Sequence, residues 1–245
     1  MPSVRPTSGP DGALGTGDGR LFIEMSTAGP DLVPWLATEV ESAGGRLVDA
    51  PIVGAPPVLR EGKAAILIGG ADRDVTRATS VLAAFGTVRH VGPVGSGARL
   101  KMVANSMLAD VILAAAELQV AGERSGLEPD DVFWVLQRMA PLLEARRQGY
   151  LEDRHVPTLF ALRDLRKDLD LAAGLFGRSA VETPLTSDAR ELVAAAAADD
   201  GDLDITAVIR AYRQVEPVPR REPAAGAVTS GRSSSPVLRA CRAPC

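Results

Sequence analysis

Apolar residues along the chain change rhythm once, near Gly95. Before that point they come in short runs separated by helix-like stretches. Leu21 to Met25 and Arg46 to Ala50 read as strands, and so do Ala64 to Ile68 and Val88 to Val91. A turn at Ser26-Thr27 leads into a helix through Trp35, Leu36, Val40 and Ala43. Gly44-Gly45 stops it, because glycine accepts the left-handed backbone that closes a helix. A second helix covers Asp74 to Phe85 and ends at Gly86. Strands alternating with helices predict an α/β layer.

From Ser96 onward the pattern is helical throughout. The longest segment runs from Ala98 to Arg124, with Leu100, Val103, Met107, Val111, Leu118 and Val120 as its apolar positions. At the α-helical rise it extends about 40 Å, and its Ala-rich face suits packing against another subunit. Further helices are expected at Pro129–Met139, Phe160–Phe176, Pro184–Ala198 and Ile205–Tyr212. The expected fold is therefore α/β plus all-α: a partial Rossmann-type layer over 20–95, then an all-helical domain over 96–215. Residues 1–19 are small and polar, and 216–245 are rich in Pro, Arg, Ser and Gly. Both read as disordered.

Composition narrows the setting. The formal net charge is −4, with basic residues scattered among acids, which argues against nucleic acid or an acidic membrane as the main partner. The cysteines, Cys241 and Cys245, fall in the last five residues. The globular part thus has no disulfide and no thiolate ligand, as expected of a cytoplasmic protein. No run approaches the roughly 18 consecutive apolar residues of a membrane span, and the N-terminus lacks a secretory pattern. His90 and His155 stand alone and read as structural or exposed. No clustering of ligand side chains points to a metal.

The segment from His90 to Asn105 carries the chemistry. Gly95 and Gly97 allow close backbone approach, and Ser96 can cap the following helix. Free amides and the dipole at a helix N-terminus suit a carboxylate or phosphate. Lys101 and Asn105, four residues apart, project from one helical face. By spacing alone they read more simply as a solvated lysine and a neutral helix residue.

The string Gly95-Ser-Gly-Ala-Arg-Leu-Lys101-Met-Val-Ala-Asn105 resembles the catalytic motif of the 3-hydroxyisobutyrate dehydrogenase family, within the β-hydroxyacid dehydrogenases that also include 6-phosphogluconate dehydrogenases. Other segments match in the same order: Glu24-Met-Ser26-Thr27, Asp49-Ala-Pro51-Ile-Val53-Gly54-Ala55, Ile68-Gly69-Gly70, Phe160 through Lys167-Asp168-Leu169, and Gly201-Asp202-Leu-Asp204. The resemblance implies an NAD- or NADP-dependent oxidoreductase moving hydride between nicotinamide and a small 3-hydroxy acid or its semialdehyde. It implies Lys101 as general acid/base, with Asn105 holding the substrate oxygen or orienting the lysine. Amides near Val53-Gly54 and at Gly95–Gly97 would bind the substrate carboxylate, with Gly97 among the binding residues. Thr27 and Lys167 would contact the cofactor. A homo-oligomer built through the helical domain is expected as well.

The chain departs from the family in two places. Val53-Gly54-Ala55 stands where the family carries Ser-Gly-Gly, removing a hydroxyl from the substrate turn. Gly15-Thr-Gly17-Asp-Gly19 follows no strand and opens no helix, so it reads as linker rather than as a pyrophosphate turn. The expectation is an N-terminally truncated dinucleotide-binding domain. Its alternative is an inactive fragment serving as a helical dimerisation module.

Overall fold

The computed structural model describes residues 19–179 and 181–214. Apart from Gly19, the segments expected to be disordered lie outside these residues, as does Gly15 to Gly17. The α/β part runs β1 (Leu21–Glu24), α1 (Leu32–Ser42), β2 (Arg46–Asp49), β3 (Ile52–Val53), α2 (Pro56–Arg60), β4 (Ala64–Gly69), α3 (Asp72–Leu82) and β5 (Gly86–Gly92). The helical part runs α4 (Ser96–Arg124), α5 (Pro129–Met139), α6 (Arg147–Leu151), α7 (Leu162–Phe176), α8 (Pro184–Asp200) and α9 (Ile209–Gln214), with 3-10 turns at Pro141–Arg146 and Ile205–Val208. The predicted α/β-then-helical order holds.

The sheet is mixed. β1 pairs parallel with β2, and β4 pairs parallel with β5. β2 and β3 instead lie end to end along the other edge of β4, antiparallel to it, with Asp49 opposite Gly69, Ile52 opposite Ile66 and Val53 opposite Ala65. Ala50 and Pro51 interrupt what is otherwise one ladder. Pro51 has no amide to donate, yet its carbonyl still accepts from Leu67 N at 3.1 Å. β3 and α2 are too short for hydrophobic periodicity to reveal. This short antiparallel stretch separates the sheet from the all-parallel order of a plain Rossmann half.

Successive β2 residues face opposite sides, as strand geometry requires. Val48 joins Ile66, Ile68, Val75 and Leu82 under α3, while Leu47 joins Val33, Leu36, Val40 and Ala98 under α1 and the start of α4. The helical core gathers Ile112, Leu113, Phe133, Tyr150, Leu165, Leu169, Val193 and Ile205 around the rest of α4. α4 thus belongs to both parts.

Its buried face differs from expectation. Of the six apolar positions read from sequence, Val120 is buried and Val111 half-buried, whereas Leu100, Val103, Met107 and Leu118 are 38–62% exposed. Met102, Ala109, Ile112, Leu113, Ala115 and Ala116 face inward instead. Ala109, Ala115 and Ala116 are spent inside the chain, where their small side chains let α7 and α8 pack closely on α4. By length and composition α4 would suffice to cross a membrane, but half of its most apolar window is buried within this fold.

The two histidines separate. His155 is buried, with Nδ1 2.9 Å from Thr206 Oγ1 and Nε2 2.9 Å from Asp153 Oδ1. The part-exposed His90 places Nε2 3.0 Å from the carbonyls of both Gly70 and Gly92.

The face assignment sets two unlike outcomes in urea denaturation. Ile112→Ala, at a buried position of α4, is expected to lower unfolding free energy by roughly 2–5 kcal/mol. Leu118→Ala, on the exposed face, should stay within about 0.5 kcal/mol of wild type. Equal losses would mean that the two faces of α4 are misassigned.

Candidate active site

The connection from β5 to α4 determines where the helix begins. Gly95 takes φ +87°, the left-handed region open to glycine, and the chain then enters α4. The first amides of a helix lack intrahelical partners, and here a side chain takes two of them. Asp49, at the end of β2 and 1% exposed, accepts from Gly95 N at 2.6 Å through Oδ1 and from Ala98 N at 2.8 Å through Oδ2. Burial pushes the Asp49 carboxyl up from its ordinary value, while these two amide hydrogen bonds pull it down. At the helix end where the Gly95–Gly97 amides were expected to meet a substrate carboxylate, an internal carboxylate takes Gly95 N and Ala98 N. Gly97 is a packing position. A Cβ there would sit 2.2 Å from the Leu67 carbonyl oxygen and 2.8 Å from Asp49 Oδ2.

Just over one turn along, Lys101 reaches back toward the sheet and donates from Nζ to the Ile52 carbonyl at 2.6 Å. This places its ammonium beside the turn formed by Val53, the last residue of β3, and Gly54, which has φ +152°. Burial lowers the Lys101 pKa below the ordinary lysine value. Asp168 opposes that shift and Lys167 reinforces it.

Asn105, one turn further on the same face, is 3% exposed and donates Nδ2 to Asp168 Oδ2 at 2.6 Å. Asp168 on α7 is 1% exposed; burial raises its pKa, while Lys167, Asn105 and Lys101 act to lower it. Its Oδ1 lies 3.1 Å from Lys167 Nζ as an ion contact but has no hydrogen-bond partner. Lys167, about half exposed, also donates to the Thr27 carbonyl at 3.3 Å. Thr27 is therefore not the cap of α1, whose N-cap is Asp31. Of the residues predicted from sequence, Asn105 and Lys167 thus meet one buried carboxylate, Lys101 lies in its field, and Thr27 is linked to it only through Lys167.

That carboxylate was not among the predicted site residues. Asp168 follows Lys167 and reads as part of a charged helix face. Its position does carry a signal, since it falls on the spacing of Leu165, Leu169 and Ala172, the buried face of α7. A carboxylate on an apolar stripe must be paired or it costs stability. Asp49 carries the same kind of signal, at the end of the buried run Leu47-Val48-Asp49. Beside Thr27, the residues Gly29, Pro30, Leu32, Trp35, Leu171 and Gly174 line a largely apolar groove between α1 and α7 of about 480 Å³.

An α/β layer is joined here to a long-helix domain, with a partly desolvated lysine where they meet. Comparisons with known proteins supply the class. Residues 7–95 match the NAD binding domain of 6-phosphogluconate dehydrogenase, and residues 95–212 match the NAD-binding domain of NADP-dependent 3-hydroxyisobutyrate dehydrogenase. The chain belongs to the 3-hydroxyisobutyrate dehydrogenase / 6-phosphogluconate dehydrogenase-like family. Both matched domains bind NAD by description, so the family's cofactor is NAD or NADP. A Mycobacterium tuberculosis 3-hydroxyisobutyrate dehydrogenase structure with L-serine is 28% identical, with a TM-score of 0.69 over 79% of this chain and 70% of that one. Arabidopsis thaliana glyoxylate/succinic semialdehyde reductase 1 is 28% identical over 80% of this chain and 69% of its own length. The Xenopus tropicalis cytokine-like nuclear factor N-PAC is 31% identical over 83% of this chain, which spans 39% of that protein's length.

Asp168→Asn tests the electrostatics of the cluster. Removing the carboxylate removes the charge that holds the Lys101 pKa up. The pH midpoint for acylation of Lys101 should then move lower still, as read by mass spectrometry across a pH series. A midpoint that rises would contradict the geometry.

Proposed function

We propose that the chain is an NAD(P)-dependent oxidoreductase of the 3-hydroxyisobutyrate dehydrogenase type, interconverting a small 3-hydroxy acid and its semialdehyde. The observation that carries this reading is the Lys101 ammonium, half withdrawn from water and joined through Asp168 to Asn105 and Lys167. Interconverting a hydroxyl and a carbonyl requires a group that takes or returns the hydroxyl proton, and a lysine serves only when its pKa falls toward neutrality. Lys101 fills that role, giving its proton to the nascent alkoxide in reduction and taking it in oxidation. Asn105 orients the pair through Asp168.

The nicotinamide, when bound, supplies or accepts the hydride. The residues present fit that group. Thr27 and Lys167 would hold it, and Asp168 Oδ1, buried with no hydrogen-bond partner, keeps acceptor capacity at the same place. With Gly95 N and Ala98 N engaged by Asp49, we assign the substrate carboxylate to the Val53-Gly54 side of Lys101. Val53, in place of a serine, makes that side less polar.

A second reading, a non-catalytic helical module, has one observation in its favour. The Xenopus tropicalis relative, 31% identical, carries the name of a nuclear factor rather than of a dehydrogenase. Titrating NADH and NADPH while following nicotinamide fluorescence separates the two readings. Micromolar binding supports the enzyme, and no binding with either cofactor supports the module.

For the enzyme, Lys101→Met should reduce turnover of a 3-hydroxy acid by roughly 10²–10⁴-fold without lowering Tm. The folded state depresses the lysine pKa, so burying the cation costs stability in full below the folded pKa, and that cost fades as pH rises from there to the ordinary lysine value. The methionine variant never bears the cost. In wild type, reduction should weaken and oxidation strengthen as pH rises through a midpoint below the ordinary lysine value. A homo-oligomer is proposed through the exposed stripe Leu100, Val103 and Met107 of α4. Met107→Glu should then shift sedimentation velocity toward monomer, and a wild-type monomer would remove the proposal.

A further inference from the structure

We propose that Asp49 is a positioning residue for Lys101: by clamping the first turn of α4 to the β2–β3 junction, it holds the lysine against the Ile52 carbonyl. The inference rests on the proposed role of Lys101 and deepens it. Four observations carry it. Asp49 is buried, and both of its carboxylate oxygens are used, one on Gly95 N and one on Ala98 N. Three residues further along the same strand path, the Ile52 carbonyl receives the Lys101 ammonium at 2.6 Å. The segment from Asp49 to Ile52 therefore grips α4 twice, once at its start and once a turn later.

The surroundings are shaped for this grip. A Cβ on Gly69 would lie 2.4 Å from Asp49 Oδ1, and one on Gly97 would lie 2.8 Å from Oδ2. The two glycines make the space in which the carboxylate meets the helix. The segment itself is anchored independently of α4, because Ala50 N donates to Glu24 O at 2.7 Å and Leu67 N donates to Pro51 O at 3.1 Å. A helix held at one end by a fixed strand junction can neither slide nor rotate without breaking charge-assisted hydrogen bonds, the stronger kind. Lys101, one turn in, inherits that fixed position.

Asp49 is absent from the groups that shift Lys101 electrostatically, so its effect must pass through position and desolvation. That makes it separable from Asp168. The test is trace acetylation of the full chain with acetic anhydride across a pH series. Mass spectrometry reads Lys101, and exposed Lys63, whose side chain is 72% exposed, serves as internal reference. In Asp49→Asn, which keeps one acceptor oxygen in the same shape, the Lys101 midpoint is expected to rise toward that of Lys63 by about one pH unit, a tenfold loss of neutral amine at fixed pH. Leu82→Ala, a destabilising change in the α3 core, should lower Tm but leave the midpoint in place.

An unmoved Lys101 midpoint in Asp49→Asn, whatever happens to Tm, overturns the positioning role and leaves the lysine assignment standing. A wild-type Lys101 that titrates like Lys63 overturns both. Where Asp49→Asn cannot be obtained folded, wild type carries the test. In sub-denaturing urea, hydrogen exchange at Gly95 N and Ala98 N should rise in step with Lys101 acetylation, and exchange that rises alone overturns the clamp.

Discussion

A lysine ammonium held partly out of water has to be balanced, and the surrounding structure is arranged to do so. Losing hydration costs a cation more than one neutral hydrogen bond returns. Lys101 receives one short bond to a main-chain carbonyl and the field of a buried carboxylate, while Lys167 works against it. The balance leaves the amine nearer to losing its proton than an exposed lysine would be. The groups that set it come from separate elements: the carbonyl from β3, the carboxylate from α7 and the lysine from α4. If any one of them shifts by about an ångström, the hydrogen bonds lengthen beyond useful range.

This dependence gives the mixed sheet a purpose. The interruption at Ala50-Pro51 ends β2 at Asp49 and restarts the ladder at Ile52, so one stretch of backbone presents a carboxylate and a carbonyl to the same helix. The helical part contributes differently. Its closely packed alanines let α7 approach α4 near enough for Asn105 and Asp168 to meet at 2.6 Å. Bulkier residues on that face would hold the two helices apart.

Membership of the 3-hydroxyisobutyrate dehydrogenase-like family accounts for the shared architecture, and this chain keeps its own features within it. Val53 stands at the turn beside Lys101, and the N-PAC relatives extend well beyond the stretch matched here. The α4 stripe of Leu100, Val103 and Met107 is another such feature, since apolar side chains of that size are exposed in a row only where the chain's own core does not need them.

Much of this was legible in the sequence. The change of rhythm at Gly95, the α/β-then-helical order and the bounds of α5 follow from periodicity and turn residues, which are local properties of the chain. The motif around Lys101 and Asn105 was legible because its residues are contiguous. The strand break at β3 and the inward face of α4 are not local properties, and Asp49 and Lys101 find their partners 46–49 positions away in the chain. Asp168 reads as one more surface charge until α7 is packed against α4. Hydrophobic periodicity reports which side of an element is buried, but for a helix that is apolar on most sides it does not say which neighbour comes closest. Whether a charge meets a partner is decided only when the chain folds back on itself.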